Sequence, residues 1–366
     1  MPRHLYVHVP FCAHRCGYCT FVTVTGREEL HARYVDGLRR ELELRMPGLD
    51  LQAAFDTTYV GGGTPSLLAA GLLDELLGWL AAMLAPGGEL TVEANPETID
   101  PDRAAVLAAH GARVSMGVQS LHRRELDLLD RTAGPEVVAA AVGMLRAAGV
   151  SNLSCDLIWG IPDQDPADLR ADLAGIVDLA PEHVSAYELE VRPGTMLHHR
   201  LGGAPDPDED DDRYRIVVDV LEAAGYDWYE LANFARAGCE SRHNLAYWTQ
   251  RDHVGIGIGA FGTVGARRRR NLPGIGRWLE ALEAGRDAPH EVELLDDHTR
   301  RLERVMLAAR LREPVDLQGM DDVIDPLALD RLQAAGLLAG TSDRIELTRS
   351  GRMLQGAVMA ELLQPR

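Results

Sequence analysis

"HVPFCAHRCGYCTF", residues 8–21, holds three of the five cysteines of a 366-residue chain, Cys12, Cys16 and Cys19, spaced C-x-x-x-C-x-x-C. The run follows directly on "LYVHVP", an apolar, β-rich stretch. Thiolates are soft ligands suited to zinc or to iron–sulfur clusters. A closed zinc site takes four ligands, usually as two C-x-x-C-type pairs. A second pair is missing here. Cys155 falls inside another β-rich run and Cys239 lies far along the chain, while His8 or His14 could complete a zinc site. Three thiolates can also hold three irons of a [4Fe–4S] cluster and leave the fourth iron open to an amine and a carboxylate. On the residues alone both chemistries stay open.

Outward from that run, short β-rich segments alternate with helical patterns. "LYVHVP" precedes a helical stretch at 28–46, "TTYVGGG" one at 70–84, "ELTVEANP" one at 101–109 and "RVSMGVQS" two near 122–130 and 135–148. "NLSCDLIWG" precedes 165–179, and "HVSAYELE" is a sixth strand. Repeated βα units predict a parallel sheet with right-handed crossovers, and six of them close most of a barrel. Chemistry in such sheets collects at the carboxyl ends of the strands. The cysteines, "GGGTP", Glu93, Asn95, Gln119 and Asp156 fall at or near those ends.

Composition narrows the classes further. Acids outnumber bases 56 to 37, for a net charge of −19, which argues against a nucleic-acid binder and against an anionic membrane surface. No apolar run long enough to span a bilayer and no charged-then-apolar leader is evident. The clustered cysteines do not read as a disulfide framework, so a reducing cytoplasm is the expected compartment. The chain contains no lysine; all 37 bases are arginine. That excludes a P-loop lysine, a pyridoxal Schiff base and a Schiff-base aldolase.

The pattern changes after about residue 196. "PDPDEDDD" (205–212) reads as a solvated loop, and "RRRR" (267–270) as a solvated turn between glycine-rich segments. Residues 296–366 read as mostly helical with a short ribbon at "DRIELTRSG", a winged-helix-like module that is not notably basic. The expected domains are therefore 1–235, a connecting segment 236–295, and 296–366.

"LYVHVPFCAHRCGYCTF", "GGGTPS", "TVEANPE", "SMGVQS", "DLIWGIP", "RPGT" and "HNLAYW" together resemble the oxygen-independent coproporphyrinogen III oxidase superfamily of radical S-adenosylmethionine (SAM) proteins, over nearly the whole chain. Two departures are similar to its HemW-type heme-chaperone branch: Phe21 stands where the oxidases carry a fourth cysteine, and Cys12 lies close to the first residue. The resemblance implies an α/β fold, a partial (β/α)6 TIM-like barrel followed by a smaller, mostly helical, winged-helix-like domain. It implies a [4Fe–4S] cluster on Cys12, Cys16 and Cys19, with Tyr18 before the last ligand. It places Tyr6, Gly62, Gly63, Thr64 and Glu93 around SAM. Gln119, Arg131 and Asp156 match polar positions that serve a second SAM in the oxidases. The implied partners are heme, heme-accepting respiratory apoproteins, an electron donor for the cluster and transient membrane-protein contacts, beside porphyrin biosynthesis and without coproporphyrinogen III oxidase activity. The alternative is a radical SAM enzyme acting on a porphyrinogen.

Each position also has a plainer reading. "GGGT" alone is equally a flexible turn, Tyr6 a packed strand residue and Arg131 a helix-end cation. In "HNLAYW", His243, Asn244, Tyr247 and Trp248 combine a heme-type ligand, an amide and two aromatics that stack on flat macrocycles. The same residues read as a hydrogen-bonded core motif. Cys239 is a second candidate ligand. If heme binds there, an apolar cleft is expected between the barrel's mouth and 239–262, where "HVGIGIGAFG" lets backbone approach closely.

Overall fold

The computed structural model describes residues 2–48, 54–203 and 211–364; residues 205–210 of the acidic run lie outside them. Six parallel strands follow one another along the chain: β1 (His4–Val9), β2 (Phe55–Gly62), β3 (Leu84–Ala94), β4 (Arg113–Gln119), β5 (Leu153–Trp159) and β6 (His183–Glu188). The helices that return the chain begin where local chemistry starts a helix. Asp100 and Asp165 accept hydrogen bonds from Arg103 N and Ala167 N, and a proline fills the first turn of 101–109, 135–148 and 166–178. Leu5, Val7 and Val9 alternate with Tyr6 and His8 along β1. The first set joins the main apolar core; the second faces the barrel interior.

The sheet is larger than six strands. β7 (Asp227–Trp228) and β8 (Asn233–Ala235) extend it beyond β6. On the other flank β9 (His253–Ile256) pairs in parallel with β1, followed by the antiparallel strands β10 (Phe261–Val264), β11 (Arg267–Asn271) and β12 (His290–Leu294). "RRRR" is thus most of β11, not a turn. Arg268 pairs with Glu293 and Glu303, and Arg269 with Asp287. The glycines of "HVGIGIGAFG" do serve close approach, but of the chain to itself: a Cβ on Gly257, at φ +92°, would lie 2.5 Å from the His8 carbonyl oxygen.

What seats this second flank is a buried carboxylate. Glu41, fully buried on the helix His31–Arg45, accepts from Gly257 N and Trp278 Nε1, both at 2.9 Å, from Asn271 Nδ2 at 2.6 Å and from Arg45 at 3.1 Å. Four donors satisfy a charge that burial alone would penalise.

Residues 297–362 form helices around a three-stranded antiparallel sheet, with an apolar core of their own that includes Val305, Leu332, Ile345 and Leu362. Arg352 joins the two bodies: its guanidinium lies 3.6 Å over the Trp228 ring and donates to the Trp228 carbonyl at 2.9 Å. Among the described residues no helix is long and apolar enough to cross a membrane.

A candidate cluster and cofactor site at the barrel mouth

The cysteine loop leaves the carboxyl end of β1 and is stitched to the end of β2. Gly63 N donates to Val9 O at 2.9 Å and Thr64 N to Phe11 O at 2.7 Å. No side chain fits at the seam, because a Cβ on Gly63 would lie 2.6 Å from the Pro10 backbone. Gly62 has φ +107°, and a Cβ there would strike the His8 ring. "GGGT" is a fixed junction rather than a flexible turn.

All three cysteines of the loop are free and half-buried. The Thr64 hydroxyl donates to Cys12 Sγ at 3.7 Å, and Arg131 reaches Cys16 Sγ at 3.7 Å. Burial pushes the Cys12 thiol up to about 11, against the Thr64 donation, and also raises Cys19. Tyr18 anchors the loop in a small satellite core with Leu129, Ile158 and Leu197. Leu197 N donates to Gly17 O at 2.8 Å, so the helix Met196–Leu201 holds the loop from outside. Among the described residues no three His, Cys, Asp or Glu side chains converge closely enough to hold a single metal ion.

The polar residues expected around SAM meet on one side of this loop. Glu93 accepts from Gly62 N and from the Tyr59 hydroxyl, both at 2.8 Å. Burial pushes its carboxyl up to about 7, against both donors. Tyr6 stacks near Tyr59, with ring centroids 6.2 Å apart, and its hydroxyl is 3.1 Å from His8 Nδ1. Arg131 is not a helix-end cation. It is buried and donates to Gly117 O at 2.6 Å and to Asn95 Oδ1 at 2.9 Å. Gln119 takes φ +72° at a register shift in β4. Asp156 sits deeper among the hydroxyls of Ser115, Ser154 and Ser185, and burial raises its carboxyl against them.

"HNLAYW" lies elsewhere. The helix Arg242–Trp248 closes the barrel at its amino end. His243 is fully buried; its Nδ1 is 2.7 Å from the Thr57 hydroxyl and its Nε2 2.8 Å from the Tyr247 hydroxyl. Thr57 and Gly62 are five strand residues apart, about 16 Å. Both ring nitrogens are occupied, and burial holds the imidazole well below its usual range. As placed, His243 offers iron no free nitrogen. Trp248 is half-buried under the Arg310 guanidinium, and Asn244 and Cys239 are half-buried too. Of the segment 239–262 expected to line a cleft with the mouth, the helix Arg242–Trp248 lies at the barrel's amino end, while Gly257 and Gly259 come against His8 and Val22 beside the cysteine loop.

The Radical SAM superfamily model matches residues 6–174. A heme chaperone HemW of Mycobacterium tuberculosis is 39% identical, over 99% of this chain and 95% of the relative. The HemW of Escherichia coli is 33% identical, over 98% and 97%. The chain belongs to the HemW family. Its fold is similar to that of the E. coli coproporphyrinogen III oxidase HemN, with TM-score 0.83, 23% identity, and coverage of 98% of this chain and 89% of that one.

In this HemW-family chain Asn95, His8 and Asp130 tie the mouth together. Asn95 is the hub, donating to Thr64 Oγ1 at 3.0 Å while accepting from Arg131. Its place two residues beyond Glu93 at a strand end is what marks it in the sequence. His8 is an interior residue, 2.8 Å from the Val22 carbonyl oxygen across the loop. Asp130, in a left-handed turn at φ +55°, pairs with Arg200 at 2.8 Å against Gly17. Nothing in the sequence marks that contact.

Proposed function

We propose that the chain is a heme chaperone carrying a [4Fe–4S] cluster on Cys12, Cys16 and Cys19, with SAM beside it, and that it passes heme to respiratory apoproteins. The observation that carries this reading is the convergence of three unpaired soft thiols with the Gly62–Thr64 junction and Glu93 at one barrel mouth.

A reduced [4Fe–4S] cluster with SAM bound supplies reductive cleavage of the S–C5′ bond. The chain's own residues position and screen. The Thr64 hydroxyl and Arg131 guanidinium face two of the sulfurs and offset thiolate charge. Gly62 and Gly63 let backbone come against the methionine end of the cofactor. Glu93 supplies a carboxylate toward an ammonium group, and Tyr6 and Tyr59 wall the interior below it. Gln119, Arg131 and Asp156 line the remaining polar side.

Anaerobic titration of reconstituted protein with hemin, beside a coproporphyrinogen III oxidation assay, tests the assignment. A saturable Soret band with no formation of protoporphyrinogen IX is the expected result. Robust oxidation of coproporphyrinogen III, or rescue of a strain lacking that oxidase, overturns it in favour of the enzyme.

A further inference from the structure

A cavity of about 740 Å3 opens at the amino end of the barrel, the end opposite the cysteines. Its wall includes Arg3, His4, Thr57, Arg242 and Arg251, and only Leu245 and Ala246 contribute aliphatic side chains. Of its three guanidiniums, Arg3 is paired with Asp56. Arg242 bonds the Gly87 carbonyl at 2.7 Å, and neither it nor Arg251 has a carboxylate partner among the described residues. Asp252, also on the wall, accepts from Gly265 N at 2.8 Å. Three guanidiniums face two carboxylates, Asp56 and Asp252, in this concavity, a local excess of positive charge on a chain of net charge −19.

We propose that this cavity is a binding site for the oxyanion of a carboxylated or phosphorylated small molecule, held by Arg242, Arg251 and His4. Guanidiniums recognise both groups through charge-assisted, fork-shaped hydrogen bonding. Arg242, Arg251 and His4 are the wall groups suited to an anion, so the anion rather than the body of the ligand is what the site reads. His4 faces the cavity with its inner nitrogen already engaged, Nδ1 lying 2.9 Å from the Thr57 hydroxyl. Its Nε2 is the nitrogen left for a ligand.

The site is wired inward. Thr57 has one hydroxyl hydrogen and stands between two Nδ1 atoms, those of His4 and His243. One of the two rings must therefore donate. An anion that holds hydrogen on His4 Nε2 leaves neutral His4 accepting at Nδ1 from Thr57. Thr57 then accepts from His243 Nδ1, and Tyr247 donates to His243 Nε2. Occupancy of the cavity thereby sets hydrogen-bond direction inside the barrel. The charged or titratable groups around His4 are Arg3, Asp56, Arg242, Arg251, His243 and His253.

This inference stands independently of heme transfer. Calorimetric titration of the full-length, cluster-reconstituted protein with inorganic phosphate, and separately with citrate, should show saturable binding. Arg251→Ala, at an exposed side chain, should weaken it at least about tenfold, the loss expected for one charge-assisted bond. Arg242→Ala/Arg251→Ala should abolish it. The 15N imidazole signals of His4 should move with phosphate in the wild type and stay in place in the double variant. Hemin and its dimethyl ester then distinguish sources. Weaker hemin binding in Arg251→Ala, with the ester unaffected, assigns the anion to heme propionates. Unchanged hemin affinity beside a lost phosphate response assigns a free small molecule. The proposal is overturned if phosphate and citrate both fail to bind the wild type, or if both variants bind them as the wild type does.

Discussion

At the scale of single residues the mouth depends on groups whose charge state burial has altered. Each of Cys12, Cys16 and Cys19 is half-buried and unpaired, so replacing any one by Ala removes a soft donor without opening a core cavity. Anaerobic reconstitution of the wild type should yield about four irons and four labile sulfides per chain. Each variant should lose them and the broad visible absorption while keeping its fold by circular dichroism. Glu93 gives a second test. Its folded carboxyl titrates near 7, above an ordinary carboxyl, because burial outweighs its two donors. A raised carboxyl binds its proton more tightly folded than unfolded. Stability of the cluster-free protein therefore falls as pH rises through that window, by on the order of 2 kcal/mol. Denaturant midpoints at pH 5 and 8 should show the fall, and Glu93→Gln should flatten it.

At the scale of elements, two buried polar contacts hold pieces that no hydrophobic pattern would seat. Glu41 gathers four donors: Gly257 just past β9, Asn271 of β11, Arg45 of its own helix and Trp278. Glu41→Ala should destabilise the protein by about 3–5 kcal/mol, the cost of breaking a buried charged network. The effect should be read by denaturation and by early hydrogen exchange in β9 and β11. His243 plays the corresponding part at the barrel's amino end, joining Thr57 to Tyr247. His243→Ala should cost roughly 2–4 kcal/mol through the cavity and the two unpaired hydroxyls it leaves. The hemin Soret maximum should be unmoved. A shifted band with stability intact would instead make His243 an iron ligand.

At the scale of the whole molecule, the two apolar cores are joined through polar and stacked contacts. Arg352 is buried over Trp228, while Arg349 reaches Asp219 and Glu222 and Arg310 reaches the buried Glu230. Burial lowers Arg352 to about 10, and its guanidinium is held by the ring face and a backbone carbonyl. Arg352→Ala should cost about 2 kcal/mol and split thermal unfolding into two transitions, because it removes both stacking and a charged hydrogen bond at the junction. Calorimetry of the full chain measures it. Arg349→Ala, whose pairs are exposed, should change stability by less than about 1 kcal/mol.

Much of this was legible in sequence because local chemistry decides it. Six apolar strand runs separated by helical periodicity determine a parallel barrel, and the strand ends determine where Cys12, Gly62, Glu93 and Asp156 gather. A three-thiol spacing is local, so it needs no tertiary knowledge. Other features were decided by contacts between segments distant in sequence. "RRRR" read as a turn because four cations carry no alternation, yet pairing with β10 and β12 makes it a strand. Arg131 reads in sequence equally as a helix-end cation and as a cofactor-site residue; the fold sets it against Cys16, 115 residues away. "HNLAYW" carries the residue types of a heme site, but residue type cannot say which way a helix faces. Packing turned His243 inward to Thr57, where both its nitrogens are satisfied, and left Arg242 on the wall of a cavity that only the closed barrel creates.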